Sequence, residues 1–132
     1  PVTVEAKVVG LNDGDGVGRL GLFAGRTMKL GKAAALKVGG MTIIVISDRT
    51  QSADPMFFEV FGLDIAQAHT VVVKSRGDFR AGFRPWFAPE QVYEIDTEGL
   101  TSPVLERRQW QYLPRPVFPL DEDVTWQPAS AK

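Results

Sequence analysis

Thr70-Val71-Val72-Val73-Lys74-Ser75-Arg76-Gly77-Asp78-Phe79-Arg80-Ala81-Gly82-Phe83-Arg84 sets three β-branched residues in a row before a polar Lys-Ser-Arg-Gly-Asp turn. A short apolar run bounded by turn residues reads as a buried strand. Beyond the turn, Phe79 to Phe87 reads as a short helix, ended by Pro85 or continuing irregularly to Pro89. A buried strand that delivers cationic side chains to a turn is a common way to build an anion-facing site. Lys and Arg supply fixed positive charge, and Ser adds a hydroxyl donor.

Taking that stretch as strand and helix sets the reading of its neighbours. Upstream, Met41 to Ser47 is apolar and strand-like, and Asp54-Pro55 is a good helix start, with Asp54 as N-cap and proline at the first helical position. Phe57, Phe58 and Phe61 then share one helical face, and Gly62 supplies the stop. Downstream, Val92, Tyr93 and Ile95 alternate within Gln91 to Asp96, which reads as another strand. Residues 41–96 thus follow the order strand, helix, strand, helix, strand, which suits a small mixed sheet layered with helices.

The N-terminal part has a different grammar. Val2 to Leu11 alternates and then shifts phase at Val8-Val9-Gly10, the pattern of a half-buried strand with a bulge. Asn12-Asp13-Gly14-Asp15-Gly16 is a turn cluster. Six glycines between Gly18 and Gly40 cut the chain too often for a long helix and favour hairpins. Ala34 to Val38 is expected to pair with Met41 to Ser47 through a Gly39-Gly40 turn. After Thr97 five prolines break any long element, yet Trp110, Tyr112, Leu113, Val117, Phe118 and Leu120 carry much apolar surface. A proline-rich tail of that composition has to dock on something.

At 132 residues the chain has the size of one domain, able to bury roughly two-thirds of its unfolded surface. Apolar residues at 44% and charged residues at 23% give a soluble globular balance. Fifteen basic and sixteen acidic residues leave a net charge of -1, so no basic excess points to nucleic acid or a membrane surface. There is no cysteine, hence no disulfide and no thiolate, which fits the cytoplasm. The longest apolar run, Met41 to Ile46, is far too short to span a bilayer, and no charged-then-apolar leader opens the chain. A strand-like pattern starts immediately at Pro1, which suggests a piece of something longer; removal of an initiator Met or a cloning boundary would look the same.

Three motifs carry less than they promise. Gly16-Val17-Gly18-Arg19-Leu20-Gly21 matches the dinucleotide fingerprint, but no strand leads into it, no convincing helix follows, and Gly31 to Val45 lacks the acidic residue that should face the ribose. A glycine-rich hairpin is the better reading. His69 is the only histidine; a catalytic zinc site usually takes three protein ligands, and no carboxylate stands at a ligand-like spacing from it. The expectation is no metal site within this chain. Asp13, Asp15, Asp121, Glu122 and Asp123 form two acidic clusters that read as a turn and a solvated tail. What remains is Lys74, Ser75, Arg76 and Arg80. Lys74 and Ser75, adjacent on a strand, point to opposite faces and do not make a Ser-Lys nucleophile pair. Substrate anchoring is the functional reading, and a solvated strand end with surface salt bridges accounts for the residue types equally well.

Taken in order, Arg49-x-Gln51, Phe61-Gly62-Leu63-Asp64, Val72-Val73-Lys74-Ser75, Phe79-Arg80, Thr97-x-Gly99-Leu100-Thr101-Ser102-Pro103 and Arg115-Pro116-x-x-Pro119-Leu120-Asp121 resemble the C-terminal region of the MlrC-like proteins. These are the microcystinase C (microcystin degradation) group of zinc metallopeptidases, and the resemblance runs from about Val4 to Asp121. It implies a longer parent whose N-terminal domain carries the zinc ligands and catalytic carboxylate, none of which lies here. It implies hydrolysis of amide bonds in small, often linearised peptides. Where that family usually has histidine between Lys-Ser and Phe-Arg, this chain has Asp78.

The expectation is an α+β domain: a glycine-rich antiparallel hairpin region, a β-α-β-α-β unit forming a mixed sheet, and an extended proline-rich tail. Residues 1–102 would form the body and 103–132 the docking tail of a single domain. Lys74, Ser75, Asp78 and Arg80 are the candidate substrate-binding residues, with no catalytic residue in the chain. The expected partners are the N-terminal catalytic domain of the same protein, a small peptide or amide substrate, and a second copy in a homo-oligomer. A non-catalytic interaction or scaffolding module, using the aromatic tail as its interface, is the alternative.

Overall fold

A computed structural model of the chain describes residues 2–75, 77–97, 102–122 and 124–125. Its elements are β1 (Lys7–Asn12), β2 (Asp15–Val17), β3 (Thr27–Lys29), β4 (Ala33–Val38), β5 (Met41–Ile46), α1 (Met56–Glu59) and α2 (Phe79–Phe83), with 3-10 turns at Gly21–Phe23, Ile65–Gln67, Pro89–Gln91 and Leu105–Arg107. Small helices and antiparallel sheets make the domain α+β. The chain divides into two compact units, residues 1–92 and 93–132.

In the first unit, β1, β4 and β5 form an antiparallel sheet in the order β1-β4-β5. Gly39, at φ 55°, adopts the left-handed conformation at the turn between β4 and β5, so that Val38 faces Met41 and Ala33 faces Ile46. In β1 the register slips between Val8 and Gly10, so Val9 is the extra residue of a bulge. Strands β2 and β3 form a separate two-stranded sheet. The core gathers Met28, Leu30, Met56 and Phe57, with Phe23, Ile46, Phe58 and Val60 packed against it. Leu30 is fully buried. Phe58 and Phe83 meet edge to face, centroids 6.3 Å apart, which fastens α2 to α1.

The β-α-β-α-β unit is corrected by the structure. Neither Val71–Val73 nor residues 92–96 lies in a sheet, and Gln91 belongs to a 3-10 turn. The physical reason is the lack of a partner: a strand needs a neighbour for its backbone N–H and C=O groups, and both sheets are made of residues 7–46. Burial does not pin these segments either, since Val72, Tyr93 and Ile95 are each more than four-fifths exposed. No mixed sheet forms among the described residues; both sheets are antiparallel.

The second unit is not extended throughout. Asp96 accepts hydrogen bonds from Ser102 Oγ (3.1 Å) and Arg107 (2.5 Å), and Trp110 Nε1 donates to the Leu105 carbonyl (2.9 Å). Arg115 clasps the Asp121 carboxylate from six residues away, which also accepts from the Val117 N–H (2.6 Å). Proline stops helix and strand here, and side-chain bonds to carboxylates and carbonyls turn the chain instead.

Candidate functional site

The site begins with a buried acid. Asp54 is fully buried and accepts three backbone N–H bonds, from Met56 to Oδ1 and from Arg19 and Leu20 to Oδ2, each 2.8 Å. One carboxylate therefore caps the start of α1 and pins the loop that precedes the Gly21–Phe23 turn. Helix α2 closes onto the same place. A Cβ at Gly82 would stand 2.2 Å from the Ala53 carbonyl oxygen, so only glycine lets the helix come this near. Residues 51–54 and α2 are locked side by side.

On that footing Gln51 reaches the candidate residues. Its side-chain Nε2 donates to Ser75 Oγ at 2.7 Å and to Asp78 Oδ2 at 3.2 Å. Gln51 and Ser75 are half-buried and Asp78 is exposed. Asp78 stands at the start of α2, yet its carboxylate does not cap the helix; it turns to Gln51. Because Ser75 Oγ accepts this bond, its own proton remains available for a further acceptor.

Lys74 is exposed, and burial alternates along Val71 to Ser75, so Lys74 and Ser75 look to opposite sides of the extended segment. Arg80 is also exposed, its guanidinium carbon 4.8 Å from the centre of the Phe79 ring. The structure brings Ser75 and Asp78 together through Gln51, with Lys74 and Arg80 as their chain neighbours. Arg76 lies outside the described residues.

One ion pair elsewhere in the first unit also makes a packing contact. Arg19 donates to both oxygens of Glu59, at 3.2 and 2.5 Å, and its guanidinium carbon lies 5.2 Å from the centre of the Trp86 ring. The hydrogen bond to Glu59 raises the Arg19 pKa above its ordinary value, followed by the opposing effect of burial. In the second unit, the hydrogen bond from Arg115 and then that from the Val117 N–H lower the Asp121 pKa to about 2.

His69 is exposed, its Nδ1 hydrogen-bonded to Thr70 Oγ1 at 3.2 Å. Among the described residues no group of three or more His, Cys, Asp or Glu side chains could hold a metal ion. Two open depressions, of about 450 Å³ beside Gln109–Leu113 and about 310 Å³ beside Leu11–Asp13 and Lys32–Ala33, are lined by none of Gln51, Ser75 and Asp78. No helix among the described residues is long and apolar enough to cross a membrane.

Ser75 and Asp78 are candidates from residue type and resemblance, whereas Gln51, which lies in the Arg49-x-Gln51 motif, becomes their bridge only in the fold. Asp54 reads as a helix start from the sequence, and its hold on Arg19 and Leu20 is likewise visible only in the fold. A bond spanning 24 or 35 residues has no local signature, and only the polar type of Gln51 beside a helix start hinted at it.

A family model described as MlrC C-terminus matches residues 1–112. No curated protein and no solved structure matches the chain.

Proposed function

Because the chain belongs to the MlrC C-terminus family and is a domain of an MlrC-like protein, we propose that it is the C-terminal domain of an MlrC-like metallohydrolase, supporting a zinc-bearing N-terminal domain and anchoring substrate. The observation that supports this reading is the pair of bonds from Gln51 to Ser75 and Asp78, which gathers positions 24 and 27 residues away into one polar patch. In this reading Ser75 donates its hydroxyl proton to a small peptide and the Asp78 carboxylate receives its amino group, while Lys74, on the other side of the extended segment, and Arg80 supply positive charge that draws an anionic substrate to the domain. Anchoring of this kind lowers the entropic cost of presenting an amide bond to a reacting centre.

The zinc implied by the resemblance does not fit this chain's own donors. There is one histidine, no cysteine and no metal-capable cluster among the described residues. In this reading the domain contributes orientation. The parent enzyme bearing Lys74→Ala or Arg80→Ala should lose about tenfold in kcat/KM on a short peptide, chiefly through KM. Unchanged kcat/KM in both variants would remove the anchoring role.

A second reading has its own observation. Tyr112 is 93% and Phe118 76% exposed, which suits an interaction module that binds through the aromatic tail. Replacing both by serine separates the two: the anchoring reading expects unaltered peptide kinetics, and the module reading expects loss of the partner.

A further inference from the structure

The Gln51 side chain imposes a polarity on its two partners. Its Nε2 carries two hydrogens, and Ser75 Oγ and Asp78 Oδ2 take one each, at 2.7 and 3.2 Å. Turned over, the amide would set Oε1 against the Asp78 carboxylate, two acceptors with no proton between them. Asp78 therefore fixes the amide, and the amide fixes Ser75. With its oxygen accepting from Nε2, the Ser75 hydroxyl turns its own proton away from Gln51.

The same bonds leave an open acceptor beside that donor. Asp78 is exposed, its side chain does not cap α2, and among the described residues its Oδ1 receives no hydrogen bond. No described cation forms an ion pair with it. Lys74 looks to the other side of the extended segment. Arg80, two residues along a helical backbone from Asp78, stands about 200° round the axis from it. Bonded to one nitrogen, Ser75 and Asp78 are close enough for one small group to touch both.

A hydroxyl donor beside a carboxylate suits a ligand that carries a cationic donor beside an acceptor. The first residue of a peptide has that pair, its α-ammonium and its own carbonyl joined through a single Cα. We propose that Ser75 and Asp78 take the unblocked amino terminus of a peptide, with the ammonium on Asp78, the first carbonyl on Ser75, and Gln51 as the positioning residue that holds their spacing. The inference rests on the anchoring reading above and specifies which end of the peptide is held. An acylated amino terminus has lost its charge and is discriminated against. A lysine side-chain amine has the charge but no carbonyl at that distance, and engages Asp78 alone.

Amide NMR titration of the 132-residue chain tests this with three neutral-ended probes: alanyl-alaninamide, its N-acetylated form, and Nα-acetyl-lysinamide. All are amides, so no carboxylate brings Lys74 and Arg80 into the comparison. Alanyl-alaninamide should shift Gln51, Ser75 and Asp78 and bind about fivefold more tightly than either control, the worth of one exposed charged contact or one hydrogen bond. Asp78→Asn keeps the size and an oxygen toward Gln51, and should abolish the preference over the acetylated peptide. Ser75→Ala should abolish only the preference over the lysine amine. Gln51→Ala should weaken alanyl-alaninamide and leave the lysine amine nearly unaffected, a split that a purely structural role would not produce. Equal binding of free and acetylated peptide, or of free peptide and lysine amine, with shifts at these three residues would overturn the inference and leave the anchoring reading standing. Absence of any shift at Gln51, Ser75 and Asp78 with all three probes would remove the anchoring reading, and the inference with it.

Discussion

Gln51 and Ser75, 24 residues apart, are joined by a 2.7 Å hydrogen bond from the glutamine amide nitrogen to the serine oxygen. The same nitrogen donates to Asp78, so a single side chain sets the spacing between the end of the extended segment and the start of α2. Removing it should be felt by both. In a double-mutant cycle of Gln51→Ala and Ser75→Ala, urea unfolding should give a coupling of about 1 kcal/mol, the usual net worth of a partly buried hydrogen bond. A coupling indistinguishable from zero would mean that the two residues act independently.

Gly82 tests how closely α2 approaches residues 53–54. A Cβ there would meet the Ala53 carbonyl oxygen at 2.2 Å, and a backbone atom cannot swing aside as a side chain can. Gly82→Ala should cost about 2 kcal/mol or more, through a forced shift of the helix. Gly40→Ala is the control, since nothing lies within 4 Å of its added methyl and its φ is not positive. It should be neutral or stabilise by about 0.5 kcal/mol. Equal effects in thermal melts would show that the close approach at Gly82 is not what matters.

What was legible in the chain was local. The Gly39-Gly40 pair separates one strand from the next in sequence and in structure, and the Val8-Val9-Gly10 phase shift coincides with a register slip. Asp54-Pro55 marks a helix start because proline preorganises the backbone and a short carboxylate reaches the first free N–H groups. What was not legible required a partner. Val71-Val72-Val73 has the composition of a buried strand, yet composition cannot say whether another strand lies beside it, and among the described residues none does. Strand propensity records fit to a half-buried pleated surface, and Val72, 85% exposed, has no such surface. The candidate site divides in the same way. Ser75 and Asp78 could be named from residue type and resemblance, whereas Gln51 as their bridge is a tertiary fact.

Asp54 carries the most exacting prediction. Its carboxylate is the only acceptor offered to the Met56, Arg19 and Leu20 N–H groups by any described side chain, and the residue is wholly buried. Asp54→Ala leaves these donors without the acceptor and should destabilise the domain by at least about 3 kcal/mol, lowering Tm by roughly 10 °C. Asp54→Asn keeps one oxygen and should fall between, with the loss concentrated on one side of the bond set. Hydrogen exchange would locate it: faster exchange at Arg19 and Leu20, at Met56, or at all three. An alanine variant as stable as the parent would refute the anchoring role of this acid.

The second unit offers a pH test whose sign can be worked out in advance. Asp121 lies between the Arg115 guanidinium and the Val117 N–H, and its pKa is lowered from 3.8 to about 2. A carboxyl with a folded pKa below its unfolded value binds fewer protons when folded, so its stabilisation is present in full above pH 4 and fades as pH falls through 2. The pair is exposed, so the effect belongs to the local turn and global stability should barely move. Carboxyl-carbon NMR titration should therefore find Asp121 titrating near 2. Arg115→Met should return it toward the ordinary aspartate range, leaving only the Val117 N–H to hold it down. A wild-type midpoint near 4 would show that the Arg115–Asp121 clasp does not form in solution, and with it would go the account of how residues 115–121 turn without helix or strand.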